Sequence, residues 1–179
     1  HLKLKSNIVK NMSLIKPVIM EEDYGISVKD SDTEHIPLCG NDFKKYKYVK
    51  KYIAEIHERL TPEGFSHYDA WYLVTNYGKQ TETILQYYAK QKEDDHVLGM
   101  AKAELKFTIE HEMVQTPMDF FIRRTGRLYF DIDSIRNLME PILAEFKTIY
   151  KLDDEVINSY RKTLEREMDE HSNFSLDRI

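Results

Sequence analysis

The stretch LGMAKAELKFTIEHEMV, residues 98–114, decides how the rest of the chain is read. Leu105, Phe107, Ile109, His111 and Met113 alternate with polar residues, the period of a half-buried strand. Leu98, Ala101, Leu105 and Ile109 recur at three and four residues, the stripe of a helix. After Gly99 neither Gly nor Pro interrupts the segment, which makes it long for a strand. We read it as helix. The chain is then helical on both sides of it.

Toward the C-terminus, Thr116-Pro117 reads as an N-cap with proline in the first helical position, opening a short helix to Thr125. Gly126 stops that helix. Asp133-Ser134 starts the next, with Ile135, Leu138, Met139, Ile142, Leu143 and Phe146 inward. Pro141 lies inside this pattern and is expected to kink or split it. Asp153 caps a last helix that turns Val156, Ile157, Tyr160 and Leu164 inward, and the tail after His171 is expected to fray. Toward the N-terminus, Ile84, Leu85 and Tyr88 mark a helix that stops before the polar turn at Lys92 to Asp95. Ser66-His67-Tyr68-Asp69 resembles a capping box ahead of Ala70, Trp71, Leu73 and Val74, and Gly78 suits a left-handed helix end. Tyr46, Val49, Ile53, Ile56 and Leu60 share one face of a helix capped by Asp42 and ended at Thr61-Pro62-Glu63-Gly64. Residues 1–40 lack a sustained period and read as an extended or disordered entry arm, with Pro37 and Gly40 at its boundary. The expectation is an all-α fold: an irregular bundle of about six to seven helices over residues 41–179, behind the arm.

With 179 residues, the chain suits one domain with a real core better than two. Its 6 glycines and 5 prolines are too few for a turn-dense sandwich or barrel. No G-x-G-x-x-G or G-x-x-x-x-G-K-[ST] occurs, so the sequence carries no phosphate cradle of the Rossmann or P-loop kind. Net charge is −5, which does not favour nucleic acid or an anionic membrane. Cys39 is the single cysteine, excluding an internal disulfide framework and a cysteine-based zinc site. No apolar run reaches the length of a spanning helix.

Three clusters carry candidate chemistry. His111-Glu112 begins the H-E-x-x-H zinc motif, but Gln115 stands where the second imidazole is required. Lys44, Lys45, Lys47, Lys50 and Lys51, interleaved with Tyr46, Tyr48 and Tyr52, could meet a phosphate backbone. Lys44, Lys47 and Lys51 nevertheless lie opposite the apolar stripe, where solvated lysines belong. Arg123 and Arg124, with Arg127 behind, sit between two apolar triplets. Glu110, Glu112 and Asp119 are the nearest carboxylates, and the expected arrangement is an ion-pair lattice of Glu110, Glu112, Asp119, Arg123 and Arg124 stapling two helices. No residue is nominated as catalytic, cofactor-binding or metal-ligating.

Residues 110–125, EHEMVQTPMDFFIRRT, resemble the C-terminal helical domain of FAD-dependent glycerol-3-phosphate dehydrogenases, in which an acidic helix end precedes a D-F-hydrophobic-hydrophobic-R-R-T helix. Ile36 to Phe43 is similar to the entry of that domain, and Tyr72 to Gly78 to its Y-L-x-x-x-Y-G helix end. Asp133-Ser134-Ile135, Glu140-Pro141-Ile142-Leu143 and Tyr160-Arg161 resemble the last helices of the α-glycerophosphate oxidase branch. The resemblance covers roughly residues 36–165 in order, while residues 1–35 match nothing. Cys39 stands where the family tends to carry a small residue.

The resemblance implies a parent that oxidises glycerol 3-phosphate to dihydroxyacetone phosphate, passing hydride from C2 to flavin N5, with reoxidation by O2 or quinone. It implies FAD in the parent and none in this chain, which would be a non-catalytic C-terminal fragment packing on the parent's N-terminal FAD domain or helping it to form a homo-oligomer. A cytoplasmic parent, with peripheral membrane association open, is expected. The alternatives are an independent helical module that binds a partner helix and, less favoured, a nucleic-acid-binding domain.

Overall fold

Residues 98–112 are helical, within a helix that runs from His96 to Glu112. In the computed structural model the described residues are 22–27, 43, 45–91 and 93–172. The chain divides into two compact units, residues 1–44 and 45–179. In the first, residues 22–24 form a helical turn and most of the expected arm lies outside the described residues, as do Asp42 and the tail beyond Ser172.

The second unit is all-α, with no strand among the described residues. Its α-helices are α1 (Tyr46–Leu60), α2 (His67–Tyr77), α3 (Thr81–Tyr88), α4 (His96–Glu112), α5 (Arg127–Phe130), α6 (Ile132–Tyr150) and α7 (Asp154–Ser172). Helix α1 packs on α2 and α3 packs on α4, while α4 also meets α6, and α6 meets α7. The core along α4 to α7 includes Leu105, Phe120, Phe121, Ile135, Leu138, Ile142, Phe146 and Leu164.

The doubled period of residues 98–114 has a packing cause. Met100, Ala101, Ala103, Glu104, Leu105, Phe107 and Thr108 are all buried, because α4 has neighbours on more than one side. A helix buried on several faces loses its single apolar stripe. Asp95 caps its start by accepting from the Val97 and Leu98 N–H groups, at 2.9 and 3.2 Å. Met113 ends it in a left-handed conformation, φ 59°.

The capping box of α2 is present. Ser66 N–H donates to Asp69 Oδ2 at 2.7 Å and Asp69 N–H to Ser66 Oγ at 3.3 Å. Helix α2 ends at Gly78, with φ 55° and ψ −130°, a conformation that a side chain would strain. Other expectations shift. Helix α1 begins after Lys45, which provides no side-chain cap, and buries Tyr52 while Tyr46 stays exposed. Lys45, Lys47, Lys50 and Lys51 are exposed, with Lys47 and Lys50 lying over the rings of Tyr48 and Tyr46. Helix α6 starts at Ile132 under an Asp131 cap, ahead of the expected Asp133-Ser134 start, and Pro141 does not split it. The carbonyl that Pro141 leaves without a donor belongs to Asn137, an exposed residue open to solvent. Val156 of α7 is only half-buried, whereas Ile157 and Leu164 reach the core.

Thr116 opens its helix as expected. Its Oγ1 accepts from Asp119 N–H at 3.2 Å, and Asp119 Oδ2 accepts from Thr116 N–H at 2.9 Å. Residues Asp119–Arg124 then widen into a π-turn, in which Thr125 N–H reaches back five residues to the Phe120 carbonyl at 3.0 Å. Such turns interrupt α-helices mostly as single features, often at functional sites. Phe120 and Phe121 both point into the core. The chain leaves through Gly126, φ 65°, and passes directly into α5.

Candidate functional site

The π-turn, α5 and the start of α6 form one wall of a cleft whose other wall is α2, with Val97 and Met100 of α4 between them. The cleft has a volume of about 580 Å³. Tyr68, Trp71, Tyr72 and Asn76 come from α2, and Ile122, Arg123, Arg124, Thr125, Tyr129 and Phe130 come from the facing segment. Tyr68, Trp71, Val97, Tyr129 and Phe130 are all substantially exposed, Phe130 to 85%.

Beneath this surface lies a buried polar cluster centred on Glu104, which is 1% exposed. Its Oε1 accepts from the hydroxyls of Tyr72 at 2.6 Å and Tyr77 at 2.7 Å. Its Oε2 accepts from Arg127 Nη2 at 2.9 Å. Arg127 also donates to Ser134 Oγ at 3.2 Å and lies over the Tyr72 ring, 5.4 Å from its centroid. Its Nε is buried and makes no hydrogen bond among the described residues. Burial, reinforced by the neighbouring Glu104 charge, pushes the Tyr72 and Tyr77 hydroxyls well above the ordinary phenol range. Burial works against the charge of Arg127, but Glu104 beside it holds the guanidinium protonated above its ordinary range. With three donors between them, both carboxylate oxygens of Glu104 are paired inside the protein. The arrangement therefore anchors α2, α4 and α5 to one another.

Of the five residues expected to form an ion-pair lattice, Arg123 and Arg124 lie beside Asp119 and Glu112, while Glu110 pairs elsewhere. Arg123 bridges Asp119 one turn back and projects outward, 71% exposed. Arg124 approaches Glu112 at 4.0 Å across the gap from the π-turn to α4. Glu110 instead meets Lys106 at 2.8 Å and accepts from the Tyr87 hydroxyl at 2.5 Å. Asp119 has its carboxyl below the ordinary range: burial opposes this, but bonds from Thr116, the Gln115 N–H and Arg123 prevail. Burial moves Glu112 the other way, upward, against the pull of Arg124. The buried pair is Glu104–Arg127, and Glu104 was absent from the expected set. Its signal was a carboxylate inside the apolar face of α4, three residues after Ala101 and three before Phe107.

Among the described residues no group of three or more His, Cys, Asp or Glu could hold a metal. For a dinucleotide the relevant groups are the helix starts, of which those of α1, α3 and α5 carry no side-chain cap. Its pyrophosphate needs free backbone N–H groups at a glycine-lined helix start. Ser66, Asp95, Asp131 and Asp153 already occupy the starts of α2, α4, α6 and α7. At Gly126, the glycine before α5, an added Cβ would meet the Phe130 ring at 3.2 Å.

A family model describing the C-terminal domain of alpha-glycerophosphate oxidase matches residues 31–157. The chain belongs to that family. It is 28% identical over 153 residues to the aerobic glycerol-3-phosphate dehydrogenase of Bacillus subtilis, covering 82% of this chain and 26% of the relative. To the alpha-glycerophosphate oxidase of Streptococcus pyogenes it is 28% identical over 140 residues, covering 76% of this chain and 22% of that one. The chain thus spans about a quarter of the length of these relatives. Among solved structures it resembles the glycerol-3-phosphate dehydrogenase of Bacillus halodurans, solved with FAD, with a TM-score of 0.69 and 23% identity over 89% of this chain and 32% of that one. That likeness bears on the fold of the domain. The all-α architecture and the family expected from residues 36–165 are both found, and no described helix is long and apolar enough to cross a membrane.

Proposed function

We propose that this chain serves as the non-catalytic C-terminal helical domain of an FAD-dependent glycerol-3-phosphate dehydrogenase or oxidase, a parent that oxidises glycerol 3-phosphate to dihydroxyacetone phosphate. One observation carries the reading: the family match takes in most of this chain, yet the chain takes in only about a quarter of its relatives. FAD supplies the electron-accepting chemistry when bound, and a protein's part is to bind and orient. The side-chain caps on the starts of α2, α4, α6 and α7, and the lack of a glycine-rich phosphate motif in the sequence, support assigning the pyrophosphate to the N-terminal FAD domain of the same parent. Glu104 and its tyrosines, held within the domain, support a structural role for this part. The reading places the parent in the cytoplasm, with any membrane contact peripheral and homo-oligomerisation through this domain open to it.

The test compares the 179-residue chain with the protein from the full reading frame. We expect the short chain to purify colourless and without glycerol-3-phosphate-dependent dye reduction, and the full protein to be yellow and active. A stoichiometric flavin absorbance band in the short chain would refute the reading.

A further inference from the structure

We infer that the cleft between α2 and residues 122–134 is the surface on which the FAD-binding part of the same polypeptide docks, placing apolar side chains in the aromatic hollow and a carboxylate at the Arg123–Arg124 edge. The inference rests on the function proposed above and adds where the contact is made.

Exposed apolar residues are gathered here. Tyr68, Trp71, Val97, Tyr129 and Phe130 line one hollow, where a free-standing domain would gain by scattering them. Aromatic side chains beside arginine are the composition of interface centres rather than of ordinary surface. Charge points the same way. The carboxylates on the cleft walls are already engaged, Asp69 by Ser66 and Asp131 by the Ser134 N–H. Arg123 and Arg124 retain outward-facing donors, since one has only its own-helix partner Asp119 and the other meets Glu112 at 4.0 Å. The surface is therefore apolar with surplus positive charge at one edge. An occupant that matches it carries apolar groups and an acidic residue.

The choice of occupant follows from length. About three quarters of each relative lies outside the matched region, so a large partner is covalently tethered to this domain in the parent. Domains joined in one chain bury roughly 600–1,500 Å² against one another. The cleft with its aromatic rim is an exposed surface of suitable chemistry, and it is concave whereas the lysine–tyrosine face of α1 is a single helix surface. Both walls are built from stretches of family resemblance, Tyr72 to Asn76 on one side and Ile122 to Thr125 on the other.

Phe130 offers a direct readout. In a Cys39→Ser background, Phe130→Cys is labelled with maleimide in the 179-residue chain and in the full-frame protein, and the tryptic peptide 128–136 is quantified by mass spectrometry. Glu165→Cys on the exposed side of α7 is the control. The expected result is fast labelling at both positions in the short chain. In the full protein position 130 is expected to label at least roughly tenfold more slowly, because reaction then waits on local opening, with position 165 unchanged. Equal rates at position 130 in both proteins, with flavin present in the full one, overturn the docking surface and leave the proposed function standing. Slow labelling already in the short chain also overturns it. Relief on dilution would then mean a second copy fills the cleft, and no relief would mean the chain covers it by itself. A full-frame protein without flavin overturns the function and the docking surface together.

Discussion

Replacing Arg127 with Met removes the cation from a pair in which Glu104 is 1% and Arg127 13% exposed. Breaking a buried pair from one side costs about 3–5 kcal/mol, because the remaining charge stays desolvated. At an unfolding entropy near 2.1 cal/mol/K per residue, a unit of this size loses roughly 10–18 °C in Tm. The geometry makes a sharper test available. Tyr72 and Tyr77 both donate to Oε1 of Glu104, whereas Arg127 donates to Oε2. In Glu104→Gln the amide oxygen can keep both tyrosines, but the NH2 group then faces the guanidinium, donor against donor. Glu104→Gln alone should therefore cost about as much as Arg127→Met alone. The double variant removes the donor–donor conflict and leaves the buried amide NH2 without a partner, together with the loss of the Ser134 bond and the more distant Asp131 contact. The two changes should thus be strongly non-additive, with a coupling energy of about 2–3 kcal/mol. Urea unfolding followed by circular dichroism at 222 nm measures all four corners of the cycle. Additive costs, or a loss below about 1 kcal/mol for Arg127→Met as at an exposed pair, would refute the claim that Glu104–Arg127 anchors the domain.

The exposed pair should behave in the opposite way. Arg123→Ala, at a side chain 71% exposed, should change stability by no more than about 1 kcal/mol, and a loss of several would restore the ion-pair lattice expected from sequence. Gly126→Ala must hold φ 65° while its Cβ meets Phe130 at 3.2 Å, so a loss of roughly 1–2 kcal/mol is expected in the same unfolding assay. Tyr52, Tyr72 and Tyr77 have raised hydroxyl pKa values, first through burial and then through Glu82 or Glu104. Such groups give stability that is complete below the unfolded-chain value of about 10 and is lost as pH rises above it. Tm should therefore fall from about pH 10 upward, and a flat profile to pH 11 would show that these hydroxyls ionise in the folded state.

Most of the helices could be read from local signals because their causes are local. A capping box is complete within Ser66 to Asp69, and Thr116 with Asp119 closes another. Legibility falls where packing decides. Residues 98–114 gave two periods because α4 is buried on more than one face, and only their length favoured helix. The start of α6 moved to Ile132, under an Asp131 cap, where the four residues of the preceding α5 are too few to show a period. The π-turn leaves no mark in composition, since it exists only through the bond from Thr125 to Phe120. The same holds for the ion pairs. Sequence proximity joined Glu112 to Arg124 and Asp119 to Arg123, but it misplaced Glu110 and missed the carboxylate that meets Arg127, which lies twenty-three residues away. The cleft was illegible for the same reason, as its walls are distant in sequence.

The three arginines of residues 123–127 divide the work that the sequence suggested they share. The π-turn sends Phe120 and Phe121 into the core and leaves Arg123 and Arg124 outside, and Gly126 then reverses the chain so that Arg127 turns inward to Glu104. A domain stabilised through Arg127 does not need Arg123 or Arg124 for folding. Those two stand instead beside Trp71, Tyr129 and Phe130, on a surface that leaves these aromatic side chains substantially exposed. On the proposed docking, stability and contact with the rest of the parent are separable within five residues. Substitutions at Arg127 act on the folding of the domain, whereas substitutions at Arg123 and Arg124 act on what the cleft can hold.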